Sequence, residues 1–294
     1  MDTRQRVAPL IAIVGPTGSG KSSLAMRLAA CFNGEIIAAD SRTVYTGMDV
    51  GTAKPTRVER MHIRHHGLDV VAPDDRFNVF NFKQLAIAAI DDVTARDGSP
   101  LLVGGTGLYV DAVLFDFAFR PASDLQVRAE LETLTVLELQ QRVLAAGLNL
   151  PENSSNPRHL MRLLESGALV LQQKRLRPHT LVIGLQVPTQ ELTERLQLRA
   201  EEMLGDGLID EAKQLVAQYG VDNEALRAPA YKAVISYLSR ETARDSVRDT
   251  IVANDLKLAK RQRTWFRRNP CIHWLSNGDV YAESVELITA FLNK

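Results

Sequence analysis

The sequence predicts an α/β fold in which a parallel β-sheet is flanked by helices and carries a small helical insertion domain. Three observations predict it. Short apolar runs alternate with helix-periodic stretches over residues 1–117, which is typical of strand–helix units with parallel strands. The apolar run Leu10–Val14 leads directly into a glycine-rich loop and then a helical pattern. From FRPASD onward the pattern becomes mainly helical. We therefore expect a core formed by 1–117 and 157–294, with a helical C-terminal part, and an insertion domain at 118–156.

The apolar period and the turn residues place the elements in order. We expect strands at 10–14, at 35–38, within PLLVGG and within HTLVIGLQV. We expect helices at 21–32, 80–96, 124–148 and 157–172, and a helical region from Gln190 to about Arg268. Turn-forming residues near Gly205–Gly207 and in YGVDNEALRAP should divide that last region.

The composition is that of an ordinary folded protein. Apolar residues make up 45% of the 294 residues and charged residues 24%, and the formal net charge is zero. A zero net charge excludes a global field that attracts nucleic acid or membranes, so such binding requires a local basic patch. Cys31 and Cys271 have no metal-site spacing, which suits a reducing compartment, and we see no membrane-spanning segment. We expect a cytoplasmic protein.

A phosphate-binding loop follows the first strand. The residues GPTGSGKS match G-x-x-x-x-G-K-[ST] in full, between a strand and a helix. In such loops, backbone N–H groups and the helix N-terminus bind phosphate oxygens, the lysine adds a positive charge, and the last hydroxyl can bind Mg²⁺. The match predicts a polyphosphate site of the P-loop type, with Ser22 as metal ligand. Its residues are Gly15, Pro16, Thr17, Gly18, Ser19, Gly20, Lys21 and Ser22.

Two polar residues stand where neighbouring strands should end. Asp40 follows the strand in EIIAAD, and Thr106 follows PLLVGG. The carboxyl ends of parallel strands meet at one edge of a sheet, so both residues should lie beside the phosphate-binding loop. A carboxylate there can accept a proton from a nucleophile, and a hydroxyl can hold that nucleophile in place. The alternatives are that Asp40 caps a turn and that Thr106 is a turn hydroxyl. No acidic residue ends PLLV, where a motor ATPase or GTPase would hold Mg²⁺.

Five segments, taken in order, resemble one protein family. They are GPTGSGKS, DSRTVYTGMDVGTAKP, GGTGLY, RAEEMLGDGLIDEA and AKRQRTWFRR. Together they resemble the tRNA dimethylallyltransferase (tRNA isopentenyltransferase) family, from Ile11 to about Trp274, with weak agreement across 131–156. The resemblance implies transfer of a dimethylallyl group from dimethylallyl diphosphate to N6 of the adenosine beside the anticodon (position 37). It also implies release of diphosphate, a requirement for Mg²⁺, a monomer, and contact of the insertion domain with the anticodon stem-loop.

The resemblance further implies roles for individual residues. The loop would hold the diphosphate of the isoprenoid rather than the phosphates of ATP. Asp40 would be the general base that takes a proton from the adenine amine. Thr106 would line the channel where the amine and the allyl carbon meet, and Arg199 would reach the diphosphate.

The resemblance also maps tRNA contacts onto this chain. One group of them has a physical signal of its own, because six basic residues between 257 and 268 occur with no acid between them, as RNA-backbone binding requires. The alternative is a solvated helix face, and Trp265 and Phe266 could be core or stacking residues. The implied contacts are Asp40, Ser41, Arg42, Thr43, Thr106, Arg128, Arg158, His159, Arg162, Arg227, Tyr231, Lys232, Lys260, Arg261, Gln262, Arg263 and Arg267.

The chain departs from the family pattern mainly in this RNA-facing set. Arg42 and Thr43 replace the usual residues after Asp-Ser, Pro157 stands where the family has Asp, and Ala230 replaces a glycine. The insertion is also short. The loop residues and Asp40 are retained, so we expect the chemistry to be kept and leave the choice of tRNA open.

Three other functions share some of these features. A small-molecule P-loop kinase would need a lid arginine cluster and a nucleotide-base pocket, which we do not identify. An isopentenyltransferase acting on free adenine nucleotides would not need the basic stripe. A non-catalytic RNA-binding protein would not need Lys21, Ser22, Asp40, Thr106 and Arg199 together.

Overall fold

The structure is a computed structural model that describes residues 7–117, 125–151, 153–166, 175–276 and 278–293. The chain forms two compact units. The larger unit combines Met1–Asp116 with Leu176–Lys294, and the smaller is Phe117–Arg175. The larger unit contains a parallel sheet flanked by helices, which confirms the predicted fold class.

The described strands of the larger unit form one parallel sheet in the order β3-β2-β4-β1-β5-β6. The central strand β1 is buried along its whole length, so its sequence is a continuous apolar run. The two outer strands, β3 and β6, were not predicted because they are short edge strands of polar or mixed sequence. The strands are β1 Leu10–Val14, β2 Gly34–Ala38, β3 His65–His66, β4 Ser99–Gly104, β5 Thr180–Leu185 and β6 Ile272–Leu275.

Helices cover the sheet and form the C-terminal part of the larger unit. The expected helical region beyond residue 190 is divided near Gly207, whose positive φ of 96° precedes a new helix, and again across 220–228. The described α-helices of the larger unit are α1 Lys21–Cys31, α2 Arg57–His62, α3 Val79–Ala95, α4 Gly107–Leu114, α8 Thr189–Gly205, α9 Leu208–Tyr219, α10 Pro229–Leu238, α11 Val247–Phe266 and α12 Val280–Leu292. Helices α5 to α7 belong to the smaller unit. Across the described ranges, no helix combines the length and apolarity needed to cross a bilayer.

Two apolar clusters hold the larger unit together. One joins β1, β4 and β5 to α1 and α12. The other joins the segment around Val44–Met48 to α8, α9, α10 and α11. The carboxyl ends of β1, β2 and β4 meet at one edge of the sheet, where α11 contacts the loop after β1 and the residue after β4, and this edge carries the predicted site residues.

The smaller unit is a helical cluster of α5 Leu125–Glu132, α6 Val136–Ala145 and α7 Pro157–Ser166. Its apolar core consists of Leu131, Leu139, Val143, Leu160 and Met161. The last two residues belong to α7, which the sequence interpretation assigned to the larger core by ending the insertion at 156. The structure corrects that boundary, because α7 buries its apolar face against α6 and the compact unit runs to Arg175. The predicted helical residues 167–172 lie outside the described part of the chain.

Candidate active site

The phosphate-binding loop has the backbone shape that its glycines predict. Gly18 and Gly20 have positive φ angles of 75° and 85°, a region that side chains rarely adopt. A Cβ atom on Gly18 would also lie 2.9 Å from Leu196 Cδ2. Lys21 begins α1, and its Nζ donates to the carbonyl oxygen of Pro16 at 3.2 Å. The loop thus wraps around a helix N-terminus, as required for phosphate binding.

Two C-terminal helices fix the loop through Thr17. Gln262 of α11 accepts a hydrogen bond from Thr17 N at 2.8 Å and donates to Gly105 O at 3.0 Å. Arg199 of α8 donates from Nη1 to Thr17 Oγ1 at 2.7 Å. Gln262 was predicted as a tRNA contact, but its side chain is buried, at 8% exposure. Gln262 joins the phosphate loop to the end of β4, and its contact with tRNA stays a prediction.

Polar atoms around the loop lack partners within the described residues. Ser19 Oγ and Arg199 Nε are buried and form no hydrogen bond there. Leaving a buried polar group unsatisfied costs about 1–3 kcal/mol. Both atoms belong to the loop or to the arginine that contacts it, so an anionic ligand bound there would supply acceptors for them.

Lys21 and Arg199 place two positive charges at the same pocket. Burial lowers the pKa of Lys21 to about 8, and the positive charge of Arg199 lowers it further, while the Asp40 and Asp255 carboxylates act in the opposite direction. Two cations that share a partly desolvated pocket repel each other. An anion with several charges would relieve that repulsion, as would be expected of a polyphosphate site.

Asp40 and Thr106 lie on adjacent strand ends, as predicted. Thr106 N donates to Ala39 O at 3.2 Å, and Ser41 N donates to Thr106 Oγ1 at 3.0 Å. Asp40 Oδ1 accepts a hydrogen bond from Arg42 N at 2.7 Å, which is the turn-capping contact considered as the alternative. This contact uses one carboxylate oxygen and fixes the orientation of the group beside Thr106.

The segment that follows Asp40 is held by a carboxylate that the sequence interpretation did not assign. Glu211 of α9 accepts hydrogen bonds from the backbone N–H groups of Asp49, Val50 and Gly51 at 2.8–2.9 Å. Tyr231 donates to the same carboxylate at 2.6 Å. Tyr231 was predicted as a tRNA contact; its side chain is fully buried and lies against Gly51, and its contact with tRNA stays a prediction.

The sequence interpretation also did not identify Asp255 of α11, which is a buried carboxylate. Its side chain is 5% exposed and has no hydrogen-bond or ion-pair partner among the described residues. Burial raises the pKa of Asp255, and the nearby positive charges of Arg199 and Lys21 oppose that rise. The sequence signal is a single acid on the buried face of α11, in line with Ile251, Ala259 and Phe266.

The pocket suits a magnesium ion held mainly by its substrate. Ser22 lies exposed in the first turn of α1, next to Lys21. The described residues contain no group of three or more side chains that could enclose a metal. Mg²⁺ commonly binds through one or two protein oxygens, several waters and substrate phosphates. The oxygen donors around the loop fit that pattern.

Eight of the seventeen predicted tRNA contacts lie exposed at the surface. The exposed residues of this set are Arg158, His159, Arg162, Arg227, Lys232, Lys260, Arg261 and Arg267. Arg158, His159 and Arg162 belong to α7 of the smaller unit, and the last three belong to the C-terminal end of α11 or follow it. Their contact with RNA stays a prediction.

Other members of that set are engaged inside the protein. Arg263 donates to Val187 O at 2.6 Å and to Thr189 Oγ1 at 3.1 Å. Arg42 donates to Glu224 O at 2.7 Å, and Arg128 pairs with Glu165 at 3.2 Å. Thr43 is buried. Of the two aromatic residues in the basic stripe, Phe266 is core, and Trp265 donates to Asp111 Oδ2 at 3.1 Å.

Comparison with known proteins agrees with this geometry. Residues 43–269 match the family model described as IPP transferase. The chain is 34% identical to tRNA dimethylallyltransferase 1 of Citrifermentans bemidjiense over 99% of this chain and 100% of the relative. It is similar to the full-length tRNA isopentenylpyrophosphate transferase of Bacillus halodurans, with a TM-score of 0.75, 34% identity and 97% coverage of each chain.

A more distant structure shares the fold. A eukaryotic dimethylallyltransferase acting on tRNA has a TM-score of 0.83 at 24% identity, with coverage of 97% of this chain and 80% of that chain. The family match spans most of the sequence, and the relatives with more than 30% identity match it nearly end to end. The chain belongs to the tRNA dimethylallyltransferase (IPP transferase) family.

Proposed function

We propose that this enzyme transfers a dimethylallyl group from dimethylallyl diphosphate to N6 of the adenosine beside the anticodon of tRNA, at position 37. The observation that carries the proposal is a polyanion pocket next to a carboxylate. Lys21 and Arg199 lie together at the phosphate loop, and Asp40 and Thr106 stand on the neighbouring strand ends.

The leaving diphosphate accounts for most of the pocket. As the bond between the allyl carbon and its oxygen breaks, negative charge grows on the diphosphate. In this proposal, the loop N–H groups, Lys21 and Arg199 stabilise that charge, and fixed groups of this kind need no reorganisation during the reaction. Mg²⁺, when bound with the diphosphate, would supply further positive charge to the leaving group.

Asp40 and Thr106 account for the nucleophile. The adenine amine forms the new bond from N6 to the allyl carbon, and its surplus proton passes to the Asp40 carboxylate. Thr106 Oγ1 is oriented by the hydrogen bond that it accepts from Ser41 N. The Thr106 hydroxyl can therefore donate its proton to the adenine ring or hold the adenine amine beside Asp40. General-base catalysis of this kind contributes about 10²–10⁴-fold to a rate.

The tRNA must present a single base to this pocket. A base that is stacked in the anticodon loop has to leave its stack to reach a site at a strand edge. Exposed basic residues of the larger unit, such as Lys260, Arg261 and Arg267, would bind the phosphate backbone and hold the loop during that step. The basic residues of α7 would take the same role for the anticodon stem.

Transfer of radiolabelled dimethylallyl from its diphosphate tests the proposal. With Mg²⁺ present, unmodified tRNA and AMP are offered in parallel to the wild type and to Asp40→Asn. We expect label in tRNA alone, at the adenosine beside the anticodon, and a turnover in Asp40→Asn lower by about 10²–10⁴-fold with diphosphate binding retained.

Other outcomes would change the assignment. Label in AMP alone would assign the enzyme to free adenine nucleotides, and label in neither substrate would contradict the proposed reaction. A fully active Asp40→Asn variant would leave the turn contact with Arg42 as the role of that carboxylate.

A further inference from the structure

Asp255 is a buried carboxylate for which the proposed mechanism has no use. It is 5% exposed, lies on α11, and has no hydrogen-bond or ion-pair partner in the described part of the chain. Buried acids are normally paired, because an ionised carboxylate without a partner is costly to remove from water. A buried carboxylate without a protein partner next to a ligand pocket indicates that the bound ligand supplies the missing partner.

The position of Asp255 on α11 directs it toward the phosphate loop. Gln262 follows it by seven residues, which is two helical turns or about 10.5 Å along the same face. That face contacts the loop, because Gln262 bonds Thr17 N and Gly105 O. Arg199 approaches the same loop from α8. Asp255 therefore lies on the helix face that covers the pocket, and the charges of Arg199 and Lys21 act on it.

The end of β4 has no room for an acid, although many P-loop proteins hold their metal there with an aspartate. A Cβ atom on Gly104 would lie 2.0 Å from Ala39 O, and one on Gly105 would lie 2.3 Å from Gln262 Nε2. Any carboxylate that serves a metal in this pocket must therefore come from another element, and Asp255 on α11 is buried beside the two cations.

A diphosphate in this pocket would bring negative charge close to the Asp255 carboxylate. The two anions repel each other unless a cation lies between them. Lys21 and Arg199 form no ion pair with Asp255, so they do not fill that position. Mg²⁺ prefers carboxylate, hydroxyl, phosphate and water oxygens, all of which the pocket would offer once diphosphate is bound.

We propose that Asp255 receives the Mg²⁺ that accompanies the diphosphate, directly or through a metal-bound water. Asp255 and Ser22 would then be the two protein side chains that supply oxygens to a metal held mainly by the diphosphate. This inference rests on the proposed function, because it assumes that the loop binds diphosphate.

Calorimetric binding of inorganic diphosphate, with Mg²⁺ and with EDTA, tests the role of Asp255. The proteins are the wild type, Asp255→Asn and Asp249→Asn, the last being an exposed aspartate on the same helix. We expect Asp255→Asn to weaken binding of Mg²⁺-diphosphate by roughly 10- to 100-fold. Binding of metal-free diphosphate should stay equal or strengthen, since a repelling charge is removed. Asp249→Asn should match the wild type in both titrations.

The electron spin resonance signal of Mn²⁺ gives a second readout, independent of catalysis. With diphosphate present, the wild type should bind one Mn²⁺ that Asp255→Asn binds more weakly. The proposal would be overturned if Asp255→Asn bound diphosphate more weakly to the same extent with and without Mg²⁺, or if its binding of Mg²⁺-diphosphate were unchanged. Melting curves would identify a folding defect. A wild type that binds diphosphate equally with and without Mg²⁺ would refute the role of Asp255 alone, and one that binds no diphosphate would refute the proposed pocket itself.

Discussion

The substitution Gln262→Leu separates a structural role from an RNA-binding role at one position. Leucine has a similar size, so the main loss is the pair of hydrogen bonds to Thr17 N and Gly105 O. Leaving both buried groups without partners should cost about 2–6 kcal/mol, which for a chain of this size lowers the melting temperature by roughly 3–10 °C. Diphosphate binding should weaken, because Thr17 also receives the hydrogen bond from Arg199.

The neighbouring exposed residue provides the control. Arg261→Ala removes a surface charge from the same helix, so its melting temperature should be unchanged and its affinity for tRNA lower. Differential scanning fluorimetry and a filter-binding titration of tRNA measure the two quantities on both variants. If Gln262→Leu melted like the wild type and bound tRNA more weakly, Gln262 would be an RNA contact and the role assigned from its burial would be wrong.

Three further predictions concern charge and buried polar groups. Because the pKa of Lys21 is about 8, its charge is present below that pH and is lost above it. The affinity for diphosphate should therefore fall by about tenfold per pH unit above 8. Calorimetry at pH 9 in buffers of different ionisation enthalpy should also detect proton uptake on binding. Tyr231→Phe removes the donor to Glu211 and should cost about 1.5–3 kcal/mol in urea unfolding, whereas Tyr219→Phe is the control, because the half-buried hydroxyl of Tyr219 contacts only the neighbouring side chain of Gln218 among the described residues. Replacing Lys260 and Arg267 with alanine should reduce the slope of log affinity for tRNA against log salt by about 1.5, and an unchanged slope would reassign both residues to a solvated surface.

The phosphate loop was predictable because its determinants are local. An apolar strand, glycines that reach positive φ, a lysine and a helix N-terminus all fall within a short stretch of consecutive residues. The relation between Asp40 and Thr106 was predictable for a different reason. Parallel strands place their carboxyl ends at one edge, so two polar residues that follow neighbouring strands must lie close together.

The side chains of α11 could be predicted only in part. The basic run between Lys257 and Arg268 predicted an RNA-binding face, but helical period alone cannot say which side another helix covers. Gln262 turned out to face the phosphate loop, and Arg263 donates to backbone and side-chain oxygens at 187–189. These contacts depend on residues more than 70 positions away in sequence, and no local pattern contains them.

The same reasoning explains the boundary of the smaller unit. The sequence predicted helix over 157–172, and within the described residues Pro157–Ser166 is helical. Its apolar residues Leu160 and Met161 could have packed on the sheet or on α6, since either partner would bury them. The structure shows them with Leu139 and Val143, so the choice was made by tertiary packing rather than by the helix itself.

A comparison of two lysines distinguishes the functional pocket from the structural network around it. Lys54 is fully buried and has three partners, Tyr45 O at 2.6 Å and the carboxylates of Asp49 and Asp69 at 2.9 and 2.5 Å. Among the described residues Lys21 donates only to Pro16 O, and it shares its pocket with the cation of Arg199. The buried ammonium group of Lys54, which holds a loop in place, therefore has a full set of acceptors. The fold leaves Lys21, Arg199 Nε and Ser19 Oγ short of acceptors at the one edge where catalysis is proposed. Ser19 Oγ and Arg199 Nε both belong to the phosphate loop or to the arginine that contacts it, so a polyanionic substrate would supply the missing acceptors, and this supports the proposal of a diphosphate there.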